Sequence, residues 1–337
     1  MTSDKIDIVY LWVDGSDKKW RAEKDKWFEI TNGVKPVSKC AVSKERFRDN
    51  GELLYSLRSV AECANWVNHI YIITGFNQVP KWLNTKNPRI SIVQHEQIIP
   101  SDALPTFNST AIEMCIPNIP NLSEKFILMN DDTFFNKPLQ PSFFFDSKGR
   151  TRIHFTKHKN RLHSIDEWIN KSDEYTKNII RSAQVIEQNF NTKLYFCRPS
   201  HGIDPYLKSS WFECAKNPQI KKYIDKTIHY KFRTGDSIQR WIFNLYDFMM
   251  GRATFTRTRP YKYGRHKILY FIYNLLHNHK AKQSNFYCSD AMYSRKAILK
   301  SPTFCINDSP NNTLKILQGN IKFLKQRFPN KCEFEKN

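Results

Sequence analysis

Four short apolar runs in the first 132 residues restrict the fold more than any other feature of the chain. They are "KIDIVYLWVDG" (Lys5 to Gly15), "HIYIITG" (His69 to Gly75), "RISIVQH" (Arg89 to His95) and "KFILMNDD" (Lys125 to Asp132). Each is short, rich in β-branched side chains and stopped by a polar residue or glycine, so each reads as a buried strand. Between the first two, "DNGELLYSLRSVAECA" places Leu53, Leu54, Leu57 and Val60 at helical spacing. Strands alternating with helical or irregular connections predict an α/β fold: a doubly wound, Rossmann-like, mainly parallel sheet flanked by helices.

In such sheets ligands bind outside the carboxyl ends of the strands. That rule brings "WVDGSD" (Trp12 to Asp17) and "MNDDTFF" (Met129 to Phe135) to one crevice. Both loops carry carboxylates in a chain with 53 Lys plus Arg against 32 Asp plus Glu, a formal charge of +21. Acids gathered at a pocket rim against that balance suit Mg²⁺ or Mn²⁺ beside a nucleotide diphosphate. The plainer reading is local, because Asn and Asp also end strands and cap helices. The charge itself fits nucleic acid, anionic lipid, a nucleotide donor or a phosphate-bearing polymer, or simply solubilises the surface.

At 337 residues, 40% hydrophobic and 14% aromatic, the chain has material for a full core. The reading divides it into a Rossmann-like nucleotide-sugar-binding part, 1–150, and a predominantly helical part, 151–337, that completes one catalytic unit. Helical spacing returns in "IIRSAQVIEQNF" (Ile179 to Phe190) and "DSIQRWIFNLYDFMMGRA" (Asp236 to Ala253). The eight cysteines are scattered without metal-ligand spacing and read as reduced thiols. "MTSDKIDIVYLWVDG" lacks the pattern of a secretory signal, so a cytoplasmic protein is expected. "RTRPYKYGRHKILYFIYNLLHNHKAK" (Arg257 to Lys282) has the composition of a helix on an anionic membrane surface, and equally that of a core helix with basic ends.

Three stretches of the second half carry candidate chemistry. "CRPSHGIDPYL" sets His201 in a loop, where an imidazole beside an acidic pocket suits general-base work near neutral pH, or is merely structural. "HYKFRTGDSIQRW" sets Arg233 and Asp236 at an expected helix start, where Arg233 suits a grip on phosphate or a local pair with Asp236. "FCINDSPNN" (Phe304 to Asn312) is a strand-like stub ending in a turn, and its spacing says no more.

Taken together and in order, these segments resemble the four sequence blocks of the Stealth family of hexose-1-phosphate transferases. That family includes bacterial capsule polymerases and the human lysosomal-enzyme N-acetylglucosamine-1-phosphotransferase. "IDIVYLWVDGSDKKW" is similar to the first block, and "RFRDNGELL" through "LPTFNSTAIE" to "FILMNDDTFFNKPLQPSFFF" to the second. "SHGIDPYL" to "HYKFRTGDSIQRWIFNLYDFMM" is similar to the third, and "FCINDSPNN" to "RFPNKCEFE" to the fourth. The resemblance implies a GT-A-like fold. It also implies transfer of hexose 1-phosphate from a UDP-sugar to a hydroxyl of a saccharide or growing polysaccharide, with release of UMP. By the same resemblance Asp131 and Asp132 hold Mg²⁺ or Mn²⁺, Arg233 faces phosphate and His201 is the base. Trp12, Val13, Asp14, Gly15, Arg48 and Asn50 would meet the nucleotide sugar, and Asn108 and Ser109 of "LPTFNST" the sugar. "RTGDSIQ" departs from the pattern of relatives, which leaves Asp236 without an assigned role. The extra domains of the human enzyme are not seen, which points to a short bacterial transferase; its basic charge would suit peripheral contact with the anionic inner face of the cytoplasmic membrane.

Two rivals make different predictions. A metal-dependent glycosyltransferase would attack the anomeric carbon and release UDP. A nucleic-acid-binding protein would show salt-dependent duplex binding, but no helix-turn-helix, zinc finger or RNP-type strand is present, and an acidic crevice repels phosphate unless a metal intervenes. Nucleic acid is therefore not an expected partner.

Overall fold

The four apolar runs lie in one sheet as β1 (Ile6–Leu11), β2 (Ile70–Thr74), β3 (Ile90–Gln94) and β4 (Lys125–Asn130), in the spatial order β3-β2-β1-β4 and all parallel. The coordinates are a computed structural model that describes residues 5–157, 172–192, 194, 197–199, 202–257, 285–288, 301–310 and 312–336. Because side chains alternate across a strand, β1 feeds two cores. Ile6, Ile8 and Tyr10 pack with Leu53, Leu57 and Val60 of α2 (Glu52–Cys63) on one face. Val9 joins Tyr71, Ile73, Phe126 and Leu128 on the other. Burial on both faces explains why these strands read as continuous apolar runs. Truncating Leu57 to Ala would leave a cavity costing about 2–5 kcal/mol.

Of the helices before β4, α1 (Lys18–Val34) buries only Trp20, and its N-cap Asp17 accepts from the Trp20 N–H at 2.8 Å. Short α3 (His95–Ile98) follows β3, and α4 (Ser109–Met114) precedes β4. After β4 the chain turns at Asp131 and Asp132 into β5 (Thr133–Phe135).

The second half carries helices α5 (Glu174–Asn189), α6 (Lys208–Lys216), α7 (Pro218–Ile228), α8 (Trp241–Met249) and α9 (Leu314–Arg327), together with strands that local pattern did not reveal. β6 (Thr151–Lys157) pairs with β7 (Cys197–Pro199) and β9 (Ala253–Arg257). β8 (Asp204–Leu207) adds to the central sheet antiparallel to β4, with Leu128 opposite Asp204. β10 (Asn285–Cys288) and β11 (Thr303–Ile306) form a small sheet with β5, β11 lying antiparallel to it. α8 begins at Trp241, so Arg233 and Asp236 lie in the turns before it and not at the helix start that the spacing suggested.

The C-terminal stretch returns to the first half. Phe334 is fully buried against α2 and β2, and Arg58 grips Glu335 with Nε and Nη2, both at 2.8 Å. The six cysteines whose side chains are described are free thiols. Among the described residues no helix is long and apolar enough to cross a membrane.

Candidate active site

The loop leaving β1 is held by side chains from elsewhere. Asp14 donates its backbone N–H to Gln78 Oε1 at 2.9 Å, and its carbonyl accepts from Gln78 Nε2 at 3.0 Å. The Gly15 N–H donates to the Phe47 carbonyl at 2.8 Å. That approach requires glycine, since a Cβ at position 15 would lie 2.4 Å from the Phe47 carbonyl oxygen. The Asp14 carboxylate turns back to accept from Ser16, N–H at 2.8 Å and Oγ at 2.6 Å. Trp12 is buried in the core beneath, and Val13 packs beside Trp20. Between this loop, the start of α1 and residues 42–49 opens a cavity of about 500 Å³, lined by Arg21, Lys24, Lys44, Phe47 and Arg48 among others. Its size is that of a small-ligand pocket.

Asp131 and Asp132 sit half-buried in the turn from β4 to β5, and neither caps a helix. Burial holds the Asp131 carboxyl well above the ordinary carboxylate range, and the charges of Asp132, Glu52 and Asp49 push the same way. Burial also raises Asp132, Asp308 adding to the rise while the Cys305 thiol and the Arg240 charge oppose it. Glu52, buried in the first turn of α2, is pushed up to about 7 by burial, although Asn50 donates to it from N and Nδ2 at 2.8 Å each. Asp49 is raised by burial and, more weakly, by Asp14. A train of carboxyls thus runs from Asp14 through Asp49, Glu52, Asp131 and Asp132 to Asp308.

One oxygen in this train, Asp132 Oδ1, is buried with no hydrogen-bond partner. Crowded carboxyls with an unpartnered oxygen fit a divalent cation, and Asp131 and Asp132 are the residues placed to hold it. Among the described residues no three or more His, Cys, Asp or Glu side chains close on one point. Oxygens from substrate or water would therefore have to complete a coordination shell, as is usual for Mg²⁺.

Asp308 reaches this rim because β11 pairs with β5, and the Ile306 N–H donates to the Asp132 carbonyl at 2.8 Å. Arg48 grips Asp308 through Nε and Nη2, both at 2.8 Å, and Asn50 Nδ2 reaches it at 3.4 Å. Arg48 and Asn50 thus lie at the crevice, where they hold protein carboxylates. Sequence reasoning missed Asp49, Glu52 and Asp308. The run "RDNGE" was an available signal for the first two, but Asp308 is recruited across more than 170 residues and leaves no local trace.

Opposite the acids, two distant loops are stitched together. Arg233 Nη2 donates to Ser109 Oγ at 2.7 Å, Lys231 Nζ donates to the Leu104 carbonyl at 2.9 Å, and the Phe107 N–H donates to the Lys231 carbonyl at 2.9 Å. Asn108 is buried and occupied at both ends of its carboxamide: Oδ1 accepts from the Thr110 N–H at 3.1 Å, and Nδ2 donates to the Tyr230 carbonyl at 3.2 Å. Ser109 and Arg233, 124 residues apart, are the two expected site residues that meet directly. Arg233 does not pair with Asp236, whose carboxylate instead meets Lys35 Nζ at 2.5 Å and Arg181 Nη2 at 3.6 Å. Burial lowers the Arg233 guanidinium to about 10, and the nearby Arg46 charge adds to the fall.

Behind the acid turn, Arg240 is buried between Glu113 at 2.5 Å and Asp204 at 3.3 Å. It ties α4 to β8 beside the sheet. His201 lies outside the described residues, as does nearly all of the Arg257 to Lys282 stretch.

Two family patterns match the chain: Stealth protein CR1, conserved region 1, over residues 4–27, and Stealth protein CR2, conserved region 2, over residues 46–153. Similar proteins include the exopolysaccharide phosphotransferase cps2G of Lactiplantibacillus plantarum, 40% identical over 55% of this chain and 50% of that one. The capsular polysaccharide phosphotransferase fcs1 of Haemophilus influenzae is 36% identical over 68% of this chain and 60% of its own. SacB, a capsular polysaccharide phosphotransferase of Neisseria meningitidis serogroup A, is 30% identical over 98% of this chain and 57% of its own. The chain therefore spans about half to three-fifths of the length of these relatives. Among solved structures, the inositol-1-phosphate CTP transferase from T. maritima aligns at 12% identity over 97% of both chains, TM-score 0.41. The galactosyltransferase LgtC with donor and acceptor sugar analogues aligns at 7% identity over 96% of this chain and 95% of its own, TM-score 0.42. Likenesses this distant carry no weight for the chemistry of the site.

Proposed function

Because the chain belongs to the Stealth family, we propose that it transfers hexose 1-phosphate from a UDP-sugar to a hydroxyl of a saccharide or growing polysaccharide in capsule or cell-surface polymer synthesis. The observation that carries this reading is the train of carboxyls that includes the unpartnered Asp132 Oδ1, set beside a ligand-sized cavity in a chain of formal charge +21. Carboxyls of which only Asp308 pairs with a cation among the described residues, in a basic protein, suit a site whose positive charge arrives with its substrate. The family relationship and the relatives' names support the phosphotransfer.

Bound Mg²⁺ or Mn²⁺, held by Asp131 and Asp132, would offset the charge of the donor diphosphate. The remaining work falls to the chain itself. The loop from Trp12 to Gly15, with Arg48 and Asn50 at the same crevice, would seat the nucleotide, and Ser109 with Arg233 would orient the sugar phosphate. His201 would take the acceptor proton as the hydroxyl oxygen bonds to the phosphorus bearing the sugar. The bridging P–O bond then breaks and UMP leaves. Phosphoryl transfer depends mainly on such positioning and charge neutralisation, so few groups suffice.

The location we infer is the inner face of the cytoplasmic membrane, where a basic surface would hold both the phosphodiester product and anionic headgroups. The experiment that tests the chemistry is a product analysis with Mg²⁺, a panel of UDP-sugars and a capsule-type oligosaccharide acceptor. UMP with a ³¹P phosphodiester signal in the product is expected. UDP with a phosphate-free glycoside would replace phosphotransfer by glycosyl transfer.

A further inference from the structure

The carboxyls of the acid train differ in what already holds them. Asp132 Oδ1 lacks a hydrogen-bond partner, whereas both oxygens of Asp308 are engaged. Asp308 Oδ1 accepts from Arg48 Nη2 at 2.8 Å, the Ser309 N–H at 2.7 Å and Asn312 Nδ2 at 2.9 Å. Its Oδ2 accepts from Arg48 Nε at 2.8 Å and Asn50 Nδ2 at 3.4 Å. An ionised carboxylate offers about four lone-pair sites, so these donors leave it nothing for a metal ion. Asp308 stands at the rim for another reason.

That reason is Arg48. A grip through Nε and Nη2 takes up one edge of the planar guanidinium and fixes its plane. The other edge, at Nη1, has no acceptor among the described residues. The Asp308 side chain is 12% exposed and that of Arg48 35%, so the pair is anchored at its acid and open at its cation. Arg48 lines the cavity of about 500 Å³ together with Gly15, Lys44, Phe47 and Asp49. A guanidinium held in one orientation before a ligand arrives loses less freedom on binding it. The anchor is also tied to the acid turn, because the strand that delivers Asp308 donates the Ile306 N–H to the Asp132 carbonyl at 2.8 Å.

We propose that Asp308 is a positioning residue: it holds Arg48 with its free edge toward the cavity, where that edge donates to an oxygen of the bound nucleotide. The inference rests on the transferase reading above and adds to it a residue 260 positions from the arginine it directs. A diphosphate oxygen and a uracil carbonyl share the acceptor chemistry that the edge requires.

The test is a double-mutant cycle on the full chain, comparing wild type, Asp308→Asn, Arg48→Met and the two combined. UDP and uridine affinities are read by calorimetry with Mn²⁺ present, and Mn²⁺ binding at saturating UDP by electron paramagnetic resonance. Each single substitution is expected to weaken UDP binding about tenfold and the double variant no further, because both remove the same interaction. Mn²⁺ binding by Asp308→Asn is expected to match wild type, which a general collapse of the rim would not allow. Loss on UDP alone places the free edge on the diphosphate, and equal loss on uridine places it on the nucleoside. Should Asp308→Asn fail to fold, Arg48→Lys is read in its place. Lys keeps the charge but cannot be held along one edge while presenting another, so UDP affinity should fall about fivefold, and wild-type affinity would overturn the proposal. Unchanged UDP affinity in Asp308→Asn, or losses that simply add, overturn it too. So does loss of Mn²⁺ from Asp308→Asn, which would make Asp308 a metal ligand. Wild type that binds no UDP removes this role and the transferase reading together. Coupling in a protein that releases UDP instead of UMP leaves the role standing and replaces phosphotransfer.

Discussion

Two charged clusters lie next to each other at the end of the central sheet and are built on opposite plans. In the Glu113–Arg240–Asp204 cluster a buried cation sits between two acids. In the Asp131–Asp132 turn the charges acting on Asp131 are those of other acids, Asp132 feels Asp308 as well as Arg240, and Asp132 Oδ1 has no hydrogen-bond partner. A balanced buried cluster is complete within the folded chain, whereas an unbalanced one is complete only with something bound. The first should therefore govern stability and the second activity, and substitutions in each should separate the two.

The largest effect is expected from Arg240→Met. It strands Glu113 and Asp204 in the interior and should cost about 3–5 kcal/mol of stability. Replacing the whole cluster with Glu113→Gln, Arg240→Met and Asp204→Asn should recover most of that loss. A melting temperature for Arg240→Met within about 2 °C of wild type would erase the contrast between the clusters.

Asp131→Asn and Asp132→Asn should do the converse. Turnover should fall about 10²–10³-fold, while the melting temperature holds or rises as like-charge repulsion is relieved. Steady-state kinetics beside a melting curve reads both. Normal turnover in a destabilised protein would reassign the pair to folding.

Gly15→Ala sharpens the contrast within the loop proposed to seat the nucleotide. Its Cβ would press on the Phe47 carbonyl, which is backbone and has little room to move. Donor affinity should weaken about tenfold with only a modest change in melting temperature. An unchanged dissociation constant for UDP would detach this loop from the site.

The smallest effect concerns the C-terminal clasp. Burial opposes ionisation of Glu335, but the Arg58 guanidinium overcomes it and holds the carboxyl below its ordinary value. A depressed carboxyl contributes its stability above its unfolded pKa and loses it as pH falls through the folded one. Acidification below about pH 4.5 should loosen the clasp, and Glu335→Gln should abolish that part of the pH dependence. Hydrogen exchange at residues 330–336 across pH 3 to 6 would register it, and identical profiles for the two proteins would count against it.

The central strands were legible because burial on both faces leaves continuous apolar runs, and the crevice followed from their parallel order. The NDD turn was legible as well, since three polar residues interrupt a buried run. Asp308 was not, because its place depends on Thr303–Ile306 pairing with Thr133–Phe135, and nothing local in "FCINDSPNN" specifies that partner. The helix expected from Asp236 begins at Trp241, since Asp236 is drawn to Lys35 and Arg181 instead of capping a helix. The Ser109–Arg233 contact came from two separately chosen candidates.

The most direct test of the account is whether the acid turn takes a divalent cation together with nucleotide. Mn²⁺ binding followed by electron paramagnetic resonance, with and without UDP, can be compared in wild type and in a protein carrying Asp131→Asn and Asp132→Asn. The account predicts Mn²⁺ binding by wild type that strengthens when UDP is added, and its loss in the double variant. Equal Mn²⁺ binding by both proteins in the presence of UDP would contradict it.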